Sequence, residues 1–209
     1  MKNTAYFVVI LVTASAFGFI FKGKGNQKFA TVKIGTQIWM KENLNVDHYR
    51  NGDLIPQVMD SRLWDKLKTG AWCYYQNDKA NGKKYGKLYN WYAVNDPRGL
   101  APKGWHIPTL KEFYKLKAEV NADGNKLKSV GEGDGKGAGN NKSGFSALLA
   151  GGRYFKGIFS SFGYTANFWT DTKVSPNIAN FIGLTYASKV FNKDQSYMYV
   201  GYSIRCIKN

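Results

Sequence analysis

Two histidines, two cysteines and fourteen acidic residues are the groups with which this chain could run acid–base, nucleophilic or metal chemistry. His48 stands in a polar stretch. His106 sits between Trp105 and Ile107, where a structural histidine bonded to a nearby backbone carbonyl is expected rather than a general base. Two histidines with cysteines only at positions 73 and 206 give no zinc-type spacing, so no metal and no cofactor are expected. Ser143-Gly144-Phe145-Ser146 lacks the glycines of a nucleophile elbow. The acids lie mostly among Lys, Asn and Gly in loop-like stretches, and no glycosidase-type pair is visible. No catalytic residue is assigned, and the chain is read as non-catalytic.

The aromatic side chains are more informative. The chain carries 6 Trp, 14 Tyr and 13 Phe, and residues 153–200 place many of the rings near turns. A tyrosine ring offers a flat apolar face and a polar tip, which suits stacking on sugars or packing on protein. Neighbouring lysines favour acidic ligands. The expected binding set is Tyr154, Phe159, Tyr164, Tyr186, Lys189, Tyr197 and Tyr199. The competing reading is that most of these rings are core.

These side chains need a frame. Its anchor is Lys103 to Phe113. Pro102 and Gly104 make a turn, and Trp105 and Ile107 point one way in an extended piece. Thr109 and Glu112 then form a capping box, each satisfying a free backbone N–H of the other's turn. Leu110, Phe113, Leu116 and Val120 follow at helical spacing. Trp105, His106, Thr109 and Glu112 are therefore a structural anchor.

Alternation predicts a hairpin at residues 31–40 around Gly35-Thr36. Ser61 to Leu67 reads as a short helix burying Leu63, Trp64 and Leu67, and Trp72 to Tyr75 as an aromatic strand. Asn77 to Lys84 reads as an exposed loop. Residues 88–94 are ambiguous between strand and helix. The glycine-rich run 131–144 is expected to be a flexible surface loop. It fits neither a phosphate-binding loop nor a calcium loop. From Phe145 onward, strands are expected at 145–150, 168–172, 179–185, 187–191 and 202–207. Turns are expected at Gly151-Gly152, Lys156-Gly157, Phe162-Gly163 and Asn192-Lys193-Asp194.

The formal charge is +16, which in a cytoplasmic protein would point to nucleic acid. The N-terminus argues for a different setting. Lys2 precedes an apolar run from Ala5 to Phe21 that contains Ala14-Ser15-Ala16, the pattern of a charged region, a hydrophobic region and a cleavage signal. Residues 1–21 are thus expected to be a signal peptide or a retained anchor, 22–30 a flexible lead-out, and 31–209 one domain. The protein is expected to be exported to the periplasm, cell surface or medium. A membrane would be met only through an uncleaved leader. Partners would be anionic envelope polymers rather than a specific nucleic acid, unless the charge merely keeps the protein soluble. In an oxidising compartment Cys73 and Cys206 could bridge, which would stabilise by about 4–5 kcal/mol; two buried free thiols are the alternative.

Six blocks carry a family resemblance: TVKIGTQIWMKENL (31–44), YGKLYNWYAV (85–94), GWHIPTLKEF (104–113), SGFSALLAGGRY (143–154), FWTDT (168–172) and GYSIRCIKN (201–209). In this order they resemble the Fibrobacter succinogenes major paralogous domain family of exported bacterial proteins. More distantly, the Pro-Thr-x-x-Glu-Phe helix start and the Gly-Gly-Arg strand resemble formylglycine-generating enzymes and C-type-lectin-like domains. The resemblance implies an α+β, C-type-lectin-like fold: short antiparallel strands, two to three helices and a β-rich C-terminal half. It tips residues 88–94 towards helix and puts a ligand face in the late loops. The reactive cysteine pair of formylglycine-generating enzymes has no counterpart here. The calcium–sugar tripeptides of C-type lectins are also missing. The function expected is recognition of polysaccharide or a cell-surface protein. A structural or adhesion role in the envelope is the alternative, and a hydrolase with an unrecognised acid pair the third.

Overall fold

A computed structural model of the protein describes residues 28–209. The expected leader, and the lead-out up to residue 27, lie outside the described residues. In chain order the strands are β1 (Thr31–Ile34), β2 (Gln37–Met40), β3 (Trp72–Cys73), β4 (Leu88–Tyr89), β5 (Trp105–His106), β6 (Ala150–Arg153), β7 (Phe159–Phe162), β8 (Thr165–Ser175), β9 (Ile178–Thr185), β10 (Ser188–Tyr197) and β11 (Ile207–Lys208). The helices are α1 (Ser61–Trp64), α2 (Lys79–Tyr85), α3 (Trp91–Val94) and α4 (Leu110–Glu119). The fold mixes helices with sheets, and its C-terminal half is β-rich. Among the described residues no helix is long and apolar enough to cross a membrane.

One sheet has the order β1-β2-β11-β5, so the first and last strands of the described chain share it. Its hairpin turns at Gly35-Thr36, with Gly35 at φ +58° and Ile34 opposite Gln37. The larger sheet has the order β10-β9-β8-β6-β7, and β3 and β4 make a small third one. The anchor forms as its residue types dictate. The Thr109 hydroxyl accepts from the Glu112 N–H at 3.1 Å, and Glu112 Oε2 accepts from the Thr109 N–H at 2.8 Å. The cap starts α4 in the direction that drives Phe113, Leu116 and Val120 into a core with Trp39, Phe145, Phe168 and Leu184. Trp105 and Ile107 enter a second core with Trp169 and Tyr202. His106 bonds two side chains rather than a backbone carbonyl. Its Nε2 lies 2.9 Å from Glu112 Oε1 and its Nδ1 2.8 Å from Asn209 Oδ1.

Several local expectations are corrected. There are four helices among the described residues, because 79–85 is helical: Asp78 caps it by accepting from the Ala80 N–H at 2.8 Å. Residues 88–94 divide into β4 and the single turn α3, which Asn90 caps. Only Ser61–Trp64 is helical in the next short segment, and Leu63 faces solvent. Gly151-Gly152 lies inside β6, not in a turn. A Cβ at Gly151 would stand 2.5 Å from the Ser160 carbonyl oxygen, so glycine there serves close approach. Asn192 to Asp194 are likewise mid-strand. In 145–150 and 202–207 only Ala150 and Ile207 belong to strands, and Ala147, Tyr202 and Ser203 make isolated bridges.

Cys73 and Cys206 are free and buried, so the expected bridge is not formed. They belong to different packing groups: Cys73 sits with Trp64, Tyr75 and Leu88, and Cys206 with Trp105 and Ile204. Burial pushes each thiol up to about 12, which makes them inert small hydrophobes.

The glycine-rich run is also ordered. Gly137 packs so closely that a Cβ would meet the Tyr186 carbonyl oxygen at 2.0 Å. Buried Lys128 donates from one ammonium to the carbonyls of Gly137, Thr185 and Ser188. Arg153 works similarly, donating to the carbonyls of Val58 at 2.6 Å and Met59 at 2.9 Å while its guanidinium lies over Trp64 and Phe159. These interior cations join remote segments through backbone oxygens.

Candidate functional site

The larger sheet has two faces. Strand alternation puts Ile182, Leu184, Phe168 and Phe191 into one core. The opposite face carries Trp169, Phe181 and Asp194 in one cross-strand row and Asn167, Gly183 and Asn192 in the next. Phe181 lies tilted 4.7 Å from Tyr202, and Tyr202 meets Tyr154 edge-on at 5.9 Å. Burial, followed by the nearby Tyr154 hydroxyl, holds the Tyr202 phenol well above its ordinary range. Ser196 and Asp194 lie close enough to influence the same phenol. Asn167 Nδ2 reaches the Tyr154 hydroxyl at 3.4 Å and the Thr165 hydroxyl at 3.1 Å. Aromatic rings and hydroxyl and amide groups therefore converge beside Tyr154.

Tyr154 also walls a shallow, open groove of about 420 Å³, with Phe155, Ile158, Ser160 and Ser161. Phe155 and Ile158 are 57% and 58% exposed. The turn that presents them packs on α1, where Gly157 is so near Ser61 that a Cβ would stand 2.6 Å from its Cα. Asp65 accepts from the Lys156 N–H at 3.2 Å and lies within electrostatic reach of Tyr199. Tyr199 stacks on Tyr197, with ring centroids 5.4 Å apart and planes only 8° apart.

The expected ligand set is thus divided. Tyr154 walls the groove beside the Phe155–Gly157 turn, while Tyr197 and Tyr199 form their own stack. Tyr164 follows beyond Ser161, whose carbonyl accepts its N–H at 3.0 Å. It pairs with Tyr186 at 5.4 Å, and the Tyr186 hydroxyl donates to Asp134 at 3.1 Å. Phe159 is half-buried: it packs against Tyr75 under the Arg153 guanidinium. Lys189 stands apart, in the bulged start of β10 beside Gly124. It lies roughly 25 Å of strand from Tyr197. Sequence reasoning did not bring Asn167, Phe181, Gly183, Asn192 and Asp194 onto one sheet face, which strand register does. A glycine interrupting the apolar run 178–185 was the signal that could have found them.

The acids and the metal-ligating types gather weakly. Among the described residues no group of three or more His, Cys, Asp or Glu could hold a metal ion. Glu112 and Asp171 are held in opposite directions. Burial raises Asp171. Burial also pushes Glu112 up, but hydrogen bonds from Thr109 and His106 outweigh it and leave Glu112 lowered. Glu112 already accepts from Thr109 and His106, which makes it a helix cap.

Residues 32–208 match the family described as the Fibrobacter succinogenes major domain. No curated protein and no solved structure matches the chain. A match spanning nearly all of the described residues, over the six ordered blocks that frame the sheets and α4, assigns the chain: it belongs to the Fibrobacter succinogenes major domain family.

Proposed function

We propose that this protein is an exported, non-catalytic binding module with a C-type-lectin-like body, which holds polysaccharide or a cell-surface protein on exposed aromatic side chains in the late part of its chain. The observation that carries this reading is the Tyr197–Tyr199 stack at the end of the late sheet, with Tyr197 55% exposed. Parallel rings at a surface offer a flat apolar platform with polar edges, suited to a sugar face or a protein side chain. The half-buried Tyr154, whose hydroxyl Asn167 Nδ2 approaches at 3.4 Å, adds a polar tip at the open groove. Export is supported by the charged and apolar N-terminal pattern of the sequence.

A second reading, envelope assembly through self-association, is favoured by the exposed apolar side chains of Met59, Leu63, Phe155 and Ile158 around one turn. A glycan and cell-envelope binding screen on the mature protein, run beside sedimentation analysis, separates the two. Binding competed by free sugar supports recognition. Concentration-dependent assembly without ligand, and no glycan binding, supports the second reading and overturns the first.

A further inference from the structure

We infer that Lys87 and Asn45 are the site of an intramolecular amide cross-link, a covalent modification that does not depend on the binding-module reading. Lys87 is only 4% exposed. Its ammonium donates to Asn45 Oδ1 at 2.8 Å and to the Asn45 backbone carbonyl at 3.1 Å. The Trp72 and Tyr74 rings cover the same nitrogen, with centroids 4.2 Å and 5.3 Å away. Backbone contacts hold the two segments side by side. The Lys87 N–H donates to the Leu44 carbonyl at 3.2 Å, and the Tyr89 hydroxyl donates to the Val46 carbonyl at 2.6 Å. Asn45 Nδ2 donates to the Gly82 carbonyl at 3.1 Å, which fixes the amide with Oδ1 towards the lysine. The printed acceptors of buried Lys128 are backbone carbonyls, where attack would cut the chain. Lys87 also meets a side-chain amide, which carries its own leaving group.

The step balances without a co-reactant. The Lys87 nitrogen sheds a proton and attacks Asn45 Cγ, forming the Nζ–Cγ bond. The Cγ–Nδ2 bond breaks, and Nδ2 departs as ammonium. Of the protons on the Lys87 ammonium, one stays on the new amide and the others pass to Nδ2. Nothing is oxidised or reduced. The Asp47 carboxylate lies within electrostatic reach of Lys87 and can relay those protons through water. Nζ lies at most about 4 Å from Cγ, because the carbonyl bond adds about 1.2 Å to the 2.8 Å contact. Groups held about 3–3.5 Å apart in the right alignment react at effective concentrations of about 10⁵–10⁸ M. That gain lets an otherwise slow aminolysis proceed, and the exposed side of Asn45 lets ammonia leave. A lysine withdrawn from water is also the better nucleophile. The link joins positions 42 apart and closes a loop that contains α1, β3 and α2. It restrains the unfolded chain as a disulfide would, in a protein whose two cysteines are free.

The test is mass spectrometry of the denatured wild-type protein, fresh and after prolonged incubation, beside Lys87→Arg and Asn45→Ala. The expected wild-type mass is about 17 Da below that of its sequence, the loss of one ammonia, and both variants keep the full mass. Proteolysis of the wild type should release the Asn45 and Lys87 peptides joined, which separates the link from a cyclised N-terminal glutamine or an asparagine succinimide of equal mass loss. In reductant, the wild type should unfold at a higher temperature than either variant. A wild-type mass that equals the sequence mass even after incubation would overturn the inference, and so would a mass loss with no joined peptide. The wild-type spectrum decides the matter even where a variant fails to fold. Glycan binding is read separately, so a missing link leaves the binding-module reading untouched.

Discussion

The Lys128 ammonium donates to the Thr185 carbonyl at 2.7 Å and to the Ser188 carbonyl at 3.0 Å, gripping both ends of the turn between β9 and β10 from inside. Its third acceptor is Gly137 in the glycine-rich run. One side chain thus fixes a loop whose composition alone would leave it mobile. Burial lowers the Lys128 pKa below the ordinary lysine value, and the three carbonyls compensate the charge. Lys128→Met should destabilise the fold by about 2–3 kcal/mol, as expected for losing hydrogen bonds to a charged donor. Amide exchange in 131–144 should rise more than in α4. Uniform exchange changes would contradict this role.

The thiols give a second prediction. Cys73 and Cys206 are buried and free, and burial raises both to about 12. In the folded protein neither should react with a thiol reagent at pH 8, and both should react after denaturation. A reductant should leave the thermal midpoint unchanged. A midpoint lowered by reductant would restore the disulfide.

A third prediction concerns the anchor. The folded Glu112 carboxyl is held below its usual 4.5: burial alone would raise it, but hydrogen bonds from Thr109 and His106 pull it lower. A depressed carboxyl stabilises the fold fully above the unfolded value and loses that contribution as pH falls through the folded one. Glu112→Gln should therefore cost about 0.5–2 kcal/mol near neutral pH, and the difference from wild type should shrink below pH 4.5. Urea unfolding at a series of pH values measures it. A difference that grows as pH falls would contradict the assignment.

What was legible in the sequence followed the strength of local rules. The capping box, the 31–40 hairpin and the inward Trp105 and Ile107 are set by neighbours a few residues apart, and they form as expected. The failures share a cause: long-range packing decides between local options. Asn192 to Asp194 resembles a turn, yet pairing with β9 extends it as strand. Gly151-Gly152 resembles a turn, yet β7 needs the close approach. One face of the half-buried Phe159 ring is taken by the Arg153 guanidinium from the neighbouring strand, a contact local sequence does not show. The sharing of one sheet face by Asn167, Asn192 and Asp194 stayed hidden because it arises only through strand register.

The division of the aromatic set gives a fourth prediction. Tyr197→Ala should weaken glycan binding by about 0.5–1.5 kcal/mol through loss of the stacked platform. Lys189→Ala, at the far end of β10, should leave it unchanged. Equal losses in both variants would mean that general charge, not the platform, holds the ligand.

The central claim is that rings rather than net charge do the binding. Affinity for the best-bound glycan should be measured for wild type and Tyr197→Ala at about 0.05 M and about 0.5 M salt. Wild-type affinity that changes less than about threefold between the two, and falls in the variant at both, is the predicted result. Binding abolished by the higher salt and indifferent to Tyr197 would contradict it.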